Sequence, residues 1–372
     1  MIRAFFVCFP FVVFAMTMFT FVRPACRAFG AGTRAQVVCA VPLLLCFSKF
    51  LCYKAFGGDE FSPELPLALI WTWNWLYSGA MILFALSLVL RFLPGRVKPL
   101  LLPALAWSIS AVGLWNGVRT PDVREVEVVC PELPAALDGY RIVQVADVHV
   151  SAAALRRRTA AIVALANAAD ADLAVCTGDI VDGSPLRRRD DVEPLKDLRA
   201  KDGVYFVTGN HEFYGDWDGW LALYREWGIR FLRNECVFPR EGLALGGVDD
   251  SAVLRWRRRG AELPDVGKAF AAATNCEFRV LLQHKPKYFE ENATEHGVGL
   301  QLSGHTHGGA MPGLNLLVSY HNNGFVRGVY GVSRGRLHVS PGCGQWAGFP
   351  MRFFDDPEVS VITLRRGDGP ER

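Results

Sequence analysis

Histidine is absent from the first 118 residues, and charge is scarce there, with only 9 Lys or Arg and 3 Asp or Glu. Residues 119–372 carry the remaining 31 basic and 34 acidic residues and all eight histidines. The average composition therefore describes neither part. This division excludes a single soluble domain, a disordered chain and a repeat array.

Residues 119–372 also lack the basic excess of a nucleic-acid-binding protein, because their net charge is −3. DNA and RNA are therefore not expected partners. The ten cysteines contain no CxxC pair, and they divide evenly between the two parts of the chain. A disulfide framework and a zinc knuckle are not expected, although one disulfide stays open.

Long apolar runs dominate residues 1–118 instead. The uncharged runs are 4–22, 67–90 and 100–118. Each reaches the roughly 20 residues that a helix needs to cross a bilayer. A fourth segment, 35–53, contains Lys49, whose ammonium group could snorkel to the headgroups of a spanning helix; its alternative is a re-entrant segment. We predict an all-α, multi-pass membrane region of about four transmembrane helices.

A cleaved signal peptide is the alternative for residues 4–22. We favour a retained anchor, because the run exceeds the usual apolar core of about 7–15 residues and further runs follow it. The loops 23–34 and 91–99 each carry three basic residues. The positive-inside rule places these loops in the cytoplasm. With four spans, residues 119–372 are then expected outside the cytoplasm. If only three of the segments span the membrane, the same residues would lie in the cytoplasm.

Residues 119–137 are predicted to be a connector, and residues 138–372 a catalytic domain of the α/β class. Its predicted strands are 140–146, 172–177, 203–208, 278–283, 298–303, 325–330, 335–340 and 358–365. Helices are predicted over 152–169 and, more weakly, 192–200. Strands that alternate with helices and then follow one another indicate at least one mixed sheet.

Five of these strands end in residues that can bind a metal. The five segments are Asp147-Val148-His149, Gly178-Asp179-Ile180-Val181-Asp182, Gly209-Asn210-His211-Glu212, His284, and Gly304-His305-Thr306-His307-Gly308-Gly309. Open α/β sheets place ligands beyond the carboxyl ends of their strands. Imidazole and carboxylate ligands together suit Mn, Fe, Zn or similar ions. A carboxylate such as Asp179 could bridge two ions.

This ordered series resembles the motifs of the calcineurin-like metallophosphoesterase superfamily over about residues 138–365. The finer resemblance is to its membrane-anchored bacterial branch, supported by Gly247-Val248-Asp249-Asp250 and Pro357-Glu358. Ala310 departs from that branch, which usually has Gln there. The resemblance implies a four-layer α-β-β-α sandwich with helices outside two sheets.

The resemblance also implies a dinuclear divalent metal site of manganese, iron or zinc. One ion would take Asp147, His149, Asp179 and His307, and the other Asp179, Asn210, His284 and His305. His211 would be catalytic and would face the phosphate. Asp182 is expected to have a supporting role, and Glu212 would either orient His211 or cap a helix. No substrate-binding residue is identified.

The implied activity is a metal-dependent phosphoric ester hydrolase, in which a metal-bridged hydroxide attacks a phosphodiester or pyrophosphate. The short distance between the last apolar run and the catalytic domain favours a substrate in a lipid headgroup. One alternative is a Ser/Thr-type phosphomonoesterase acting on a soluble substrate, but Gly183 stands where that branch has Arg. Another is a non-catalytic metal-binding membrane protein. Basic clusters at 156–158, 187–189 and 255–259 are either solvated faces or lipid contacts.

Overall fold

The computed structural model describes residues 2–58, 61–256, 262–274, 276–311, 313–353 and 355–367. The chain divides into two compact units. The first holds the residues up to Gly117 together with Ala347–Arg352, and the second holds the rest of the chain. The first unit is therefore discontinuous in sequence.

Helices make up the first unit. They are α1 (Ile2–Thr17), α2 (Arg23–Ala28), α3 (Thr33–Phe47), α4 (Lys49–Phe56), α5 (Leu67–Val89) and α6 (Lys98–Val118), with a π-helical turn at Met18–Val22 between α1 and α2. Among the described residues, three helices are long and apolar enough to cross a membrane, namely Val7–Ala28, Leu67–Val89 and Lys98–Val118. Helices α3 and α4 pass the same test as a pair, but they are bent by 57° where they meet. The number of candidate spans is thus three, or four if the bent pair is one span.

A polar cluster lies inside this apolar unit, around Lys49. The Lys49 Nζ is buried and donates to Asn74 Oδ1 at 2.6 Å and to the carbonyl of Gly348 at 2.5 Å. Asn74 Nδ2 in turn donates to the carbonyls of Ile70 and Ala347. Contrary to the expectation from the sequence, Lys49 does not snorkel to the headgroups, because its hydrogen-bond partners lie within the unit. The segment Ala347–Arg352 supplies two of the carbonyls in this cluster.

Two six-stranded sheets form the second unit. The strands are β1 (Asp122–Cys130), β2 (Arg141–Val145), β3 (Leu173–Cys176), β4 (Val204–Phe206), β5 (Arg230–Phe231), β6 (Glu235–Arg240), β7 (Leu243–Gly247), β8 (Phe278–Leu282), β9 (Leu300–Ser303), β10 (Gly328–Val332), β11 (Gly335–Val339) and β12 (Glu358–Arg366). The first sheet has the order β1-β12-β2-β3-β4-β5, and the second β10-β11-β9-β8-β7-β6. Within them, β2, β3 and β4 are parallel neighbours, as are β7, β8 and β9.

Three layers of apolar side chains hold the sheets and helices of this unit together. The helices are α7 (Arg156–Ala168), α8 (Pro185–Val192), α9 (Trp217–Glu226), α10 (Val253–Trp256), α11 (Val266–Ala269), α12 (Phe289–Glu295) and α13 (Leu314–His321). A central core joins the two sheets through residues such as Ile142, Val175 and Leu302. An outer core packs α7 and α9 on the first sheet, and smaller clusters pack α11 and α12 on the second. The predicted mixed α/β class and its four layers are confirmed.

Some elements differ from the sequence prediction. Strand β1 lies within the predicted connector and pairs in parallel with β12 over nine residues. The predicted helix at 192–200 is instead α8, which ends at Val192, followed by a 3₁₀ turn at Glu193–Asp197. The strand predicted at 325–330 is observed at Gly328–Val332, and Phe325 is a buried core residue before it. All ten cysteines are free thiols.

Candidate metal centre

Five loops carry the predicted site residues, and each loop follows the carboxyl end of a strand. They follow β2, β3, β4, β8 and β9 and place Asp147, Asp179, Asn210, His284 and His305 within four residues of their strand ends. Three of the strands belong to one sheet and two to the other. The site thus draws its side chains from the same edge of both sheets, as the sequence predicts.

The carboxylate of Asp179 lies at the centre of this group. Its Oδ2 is 3.2 Å from His284 Nε2, 3.8 Å from His149 Nε2 and 4.0 Å from His211 Nε2. Its Oδ1 accepts the backbone N–H of His211 at 2.8 Å. One oxygen therefore faces imidazoles from three different loops, which is the geometry expected of a shared ligand.

On one side of Asp179, the side chains of Asp147, His149 and His307 converge. Their ligand atoms lie within 4.8 Å of one another and could hold a metal ion. His149 Nε2 and His307 Nε2 are 3.2 Å apart, and His307 Nε2 is 3.6 Å from Asp147 Oδ1. Asp147 and His149 are fully buried. Two ring nitrogens and a carboxylate at these distances in a buried place suit a cation.

On the other side, Asp179 converges with His284 and His305, again within 4.8 Å. His284 Nδ1 lies 2.7 Å from the carbonyl of Thr177, so this nitrogen carries the proton and Nε2 faces Asp179. Within the described part of the chain, neither His284 Nε2 nor Asn210 Oδ1 has a hydrogen-bond partner, although both atoms are buried. Buried oxygen and nitrogen acceptors without donors are costly unless they bind a cation. These residues therefore fit a second divalent ion.

His211 belongs to a further close group with His149 and Asp179, but its ring is held by another carboxylate. His211 Nδ1 is 2.5 Å from Asp182 Oδ1, and His149 Nδ1 is 3.2 Å from Asp182 Oδ2. One buried carboxylate thus orients two imidazoles, and it leaves both Nε2 atoms on the side of Asp179. The supporting role expected of Asp182 agrees with this arrangement.

Glu212 has a role that neither sequence alternative described. Its Oε2 accepts the backbone N–H groups of Gly209 at 2.6 Å and Asp179 at 3.0 Å. Its Oε1 accepts those of Ile180 at 2.7 Å and Val181 at 3.3 Å. The buried carboxylate therefore ties the loop that carries Asp179 to the loop that carries Asn210 and His211.

The protonation of the site follows from its carboxylates. Burial alone lowers the pKa of His211 and His284, but the charges of Asp179 and its neighbours more than offset this and raise these pKa values to about 9 and about 10. Burial lowers the pKa of His305, and the neighbouring His284 and Lys285 lower it further. Burial and then the charge of Asp179 raise the pKa of Glu212 to about 7, against its backbone hydrogen bonds. These carboxylates therefore favour a positive charge at His211 and His284, and a bound cation would take the place of the second proton on His284.

The backbone of the site is unusual in a way that the motifs alone do not reveal. Asp147, His149, Asp179, His305 and His307 all have positive φ, between 48° and 73°. Residues other than glycine rarely adopt this conformation, and it concentrates at functional sites. Close packing accompanies it, since a Cβ on Gly209 would lie 2.2 Å from Asp179 Oδ1 and one on Gly304 would lie 2.3 Å from Asp147 Oδ2. These glycines are therefore required for the approach of the carboxylates.

The remaining sequence features have structural roles. Asp249 accepts from Arg233 and Thr208, and Asp250 accepts from Lys285 at 2.6 Å. Glu358 accepts from Ser360 at 2.7 Å. Ala310 has a φ of 54°, and its carbonyl accepts from the Phe353 N–H.

The basic clusters are largely engaged within the second unit. Arg156 pairs with Glu193, and Arg158 donates to the carbonyl of Cys343. Arg188 and Arg189 pair with Asp191 and Glu226. Four arginines of the clusters 156–158 and 187–189 are therefore engaged in contacts within this unit. Of the third cluster, residues 257–259 lie outside the described residues.

The chain is similar in sequence to several known proteins. Residues 140–309 match the sequence profile of the calcineurin-like phosphoesterase family. The chain is 34% identical over 284 residues to a protein of Danio rerio, and 32% identical over 283 residues to one of Bos taurus. Both relatives are called "Transmembrane protein with metallophosphoesterase domain". The matches cover 73% and 72% of this chain but 64% and 63% of those relatives, less than two thirds of their length.

A bacterial relative is matched over most of its length. The chain is 30% identical over 248 residues to the "Uncharacterized metallophosphoesterase" of Aquifex aeolicus. This match covers 65% of the chain and 91% of the relative.

Proposed function

Since this chain belongs to the calcineurin-like metallophosphoesterase family, we propose that it is a membrane-anchored, metal-dependent phosphohydrolase that cleaves a phosphodiester or a pyrophosphate. The observation that carries the proposal is the position of Asp179 Oδ2, which faces imidazoles from three loops. The family uses a dinuclear divalent metal site, and the described side chains offer two separate ligand groups for it, one of Asp147, His149 and His307 and one of Asp179, His284 and His305.

In this proposal, Asp147, His149, Asp179 and His307 hold one ion, and Asp179, Asn210, His284 and His305 hold the other. Two such ions supply Lewis-acid activation of water and of the phosphoryl oxygens. Manganese, iron and zinc all suit this mixture of imidazole, carboxylate and amide ligands. The two groups of close ligand atoms and the two buried acceptors without hydrogen bonds support the assignment.

His211 is the catalytic side chain of the proposal and does not bind a metal. Asp182 accepts a hydrogen bond from the Nδ1–H of His211, which leaves Nε2 of the same ring facing Asp179. A neighbouring carboxylate also favours the protonated imidazole. From this position, His211 can stabilise charge on the phosphoryl group and protonate the leaving oxygen.

A Ser/Thr-type phosphomonoesterase fits the centre less well. That branch has an arginine for phosphate at the position of Gly183, and here the backbone has a φ of 97°. A side chain at this position would be strained. The carbonyl of Gly183 also accepts from Trp220 Nε1 at 2.9 Å, which fixes the loop in this conformation.

We place the substrate phosphate in a lipid headgroup. Helix α6 ends at Val118 and strand β1 begins at Asp122, so the chain has very little length with which to leave the membrane. A short tether raises the effective concentration of substrates that share the membrane. The names of the vertebrate relatives also support membrane attachment. By the loop charges, the catalytic unit lies outside the cytoplasm.

The experiment uses the purified full chain with Mn²⁺. Wild-type protein should cleave a chromogenic phosphodiester and bind about two ions per chain. Asp179→Asn removes the shared charge, so it should lose activity and bind fewer ions. Asp218→Asn, at an exposed position on α9, is the matched control and should behave as wild type. Normal metal content and turnover in Asp179→Asn would contradict the proposed centre.

The lipid part of the proposal needs a separate measurement. The full chain should turn over phospholipid or lipid pyrophosphate in vesicles, and Asp179→Asn should abolish this turnover as well. If the chromogenic diester is cleaved and no lipid is, the metal-dependent hydrolase stands and the lipid substrate is wrong.

A further inference from the structure

Helix α13 (Leu314–His321) has an apolar face that no described residue covers. Leu316, Leu317 and Tyr320 are 72%, 53% and 81% exposed. At 100° per residue, these three side chains fall within about 100° of the helix circumference. No residue of the helix is fully buried. A helix in a soluble domain normally packs such a face against the core. The exposure of this face therefore indicates contact with another molecule or with lipid.

This helix is attached directly to the loop that carries His305 and His307. A Cβ on Gly309 would lie 2.6 Å from the Cβ of Asn315, in the first turn of the helix. After the helix, the carbonyl of Val326 accepts from the Thr306 hydroxyl at 2.6 Å. Residues at the start of α13 and after its end therefore contact the loop that carries His305 and His307. Whatever the helix contacts is thus held close to the metal centre.

The composition of residues 310–328 favours contact with a lipid surface. Residues 310–328 contain no Asp or Glu, so nothing in them repels anionic headgroups. Tyrosine beside leucine is typical of side chains that lie at the level of the headgroups. The chain also carries three helices long enough to cross a membrane, so a bilayer accompanies the protein.

The size of the face argues against a second copy of the chain. A stable protein complex buries roughly 800 Å² on each partner. Three side chains on a helix of eight residues cannot supply that area. They are sufficient for a shallow insertion, since an interfacial helix needs to bury only its apolar face between the headgroups and the acyl chains.

We propose that Leu316, Leu317 and Tyr320 of α13 insert into the lipid–water interface and hold the His305–His307 loop at the headgroups. The contact itself depends only on the exposed helix. Its role in catalysis, which is to bring headgroup phosphates to the centre, rests on the proposed function.

The lipid contact can be measured without any turnover. The full chain is reconstituted in vesicles of phosphatidylcholine and phosphatidylglycerol that contain a phosphatidylcholine with a photoreactive group near its headgroup. After illumination, mass spectrometry should find lipid attached to the peptide that contains residues 314–321. The peptide around Leu186 is the internal control, because this leucine is 94% exposed on α8 and has no proposed lipid contact. Lipid on the spanning peptides alone, with none on the peptide that contains residues 314–321, would overturn the proposal.

Kinetics then test the role in catalysis. For Leu317→Glu, the ratio of the rate on vesicle-borne substrate to the rate on the soluble diester should fall at least about tenfold, because a charge opposes insertion of the helix. Leu186→Glu places the same charge on an exposed leucine elsewhere and should leave the ratio unchanged. An unchanged ratio in Leu317→Glu would refute the role of α13. If wild-type protein cleaves neither substrate, the proposed function fails instead, and the crosslinking result still decides the lipid contact.

Discussion

His149 and His211 illustrate how exposure can distinguish a proposed metal ligand from a proposed catalytic imidazole when both rings have the same hydrogen-bond partner. His149 and His211 both present Nε2 toward Asp179, and both bind Asp182 through Nδ1. They differ in depth, because the His149 side chain is fully buried and that of His211 is 9% exposed. The more accessible ring is the one able to meet a substrate.

His211→Gln should therefore retain both metal ions and lose about 10²–10⁴-fold in kcat, the usual contribution of a general acid or base. Metal content per chain and kcat on the chromogenic diester are the two measurements. His321→Gln, at an exposed position on α13, is the matched control and should keep kcat on this soluble substrate. A loss of metal in proportion to activity would make His211 a ligand.

Asp182→Asn should lower kcat and metal affinity together, because Asp182 uses one oxygen for each imidazole. An amide offers one oxygen and one NH₂ group, so one of the two rings loses its acceptor. Loss of such a supporting hydrogen bond to a metal-binding His typically costs about 10–100-fold in affinity. Calorimetric titration with Mn²⁺ measures this change, and unchanged binding and kcat would show that Asp182 supports neither ring.

The motif residues were predictable from the sequence because each one follows an apolar strand. Their backbone was not, because the left-handed φ values of Asp147, Asp179 and His307 depend on loops packed against one another. The contacts of Glu212 could not be predicted from the sequence for the same reason. Its neighbour His211 suggested an orienting role, whereas its hydrogen-bond partners include the backbone of Asp179, 33 residues earlier.

At the scale of the element, Glu212 joins the loops after β3 and β4. Its two oxygens each accept two backbone N–H groups. In Glu212→Gln, the side-chain NH₂ group would face two of these donors. Leaving buried donors without an acceptor costs about 1–3 kcal/mol for each group, so the variant should unfold at a lower temperature and bind metal weakly.

Thermal unfolding followed by circular dichroism, with and without Mn²⁺, measures this effect. Glu226→Gln is the control, because Glu226 is exposed and pairs only at the surface with Arg189. It should change stability by no more than about 1 kcal/mol. If Glu212→Gln unfolds like wild type, the junction between the two loops is not held by this carboxylate.

Strand β1 and helix α13 show which elements local sequence could not predict. The exposed, charged first half of β1 is typical of an edge strand and has a weak apolar pattern. Its partner β12 begins with Glu358, opposite Asp122, so long-range pairing determines the strand. In α13, five of the eight residues are apolar and none is buried, so the segment lacks the pattern of a helix with one buried face.

For the whole molecule, the loop charges predict that residues 119–372 lie outside the cytoplasm. A cysteine introduced as Glu290→Cys, at an exposed position on α12, should react with a membrane-impermeant maleimide in intact cells. Val97→Cys, in the loop predicted to be cytoplasmic, should react only after lysis. Both are made with the exposed Cys8 and Cys39 replaced by serine, and that background protein is the control. Reaction of Glu290→Cys only after lysis would reverse the orientation.

The discontinuity of the first unit also determines the order in which the protein can be completed during synthesis. Lys49 and Asn74 bind the carbonyls of Gly348 and Ala347, yet a ribosome reaches these residues long after it has made α6. At 5–20 residues per second, translation from Val118 to Gly348 takes roughly 10–50 s. During this time, Lys49 Nζ can donate to Asn74 but not to the carbonyl of Gly348. The helices are therefore synthesised before the last residues of their own unit, and a nascent chain that stalls within the catalytic unit leaves Lys49 Nζ without its acceptor from Gly348.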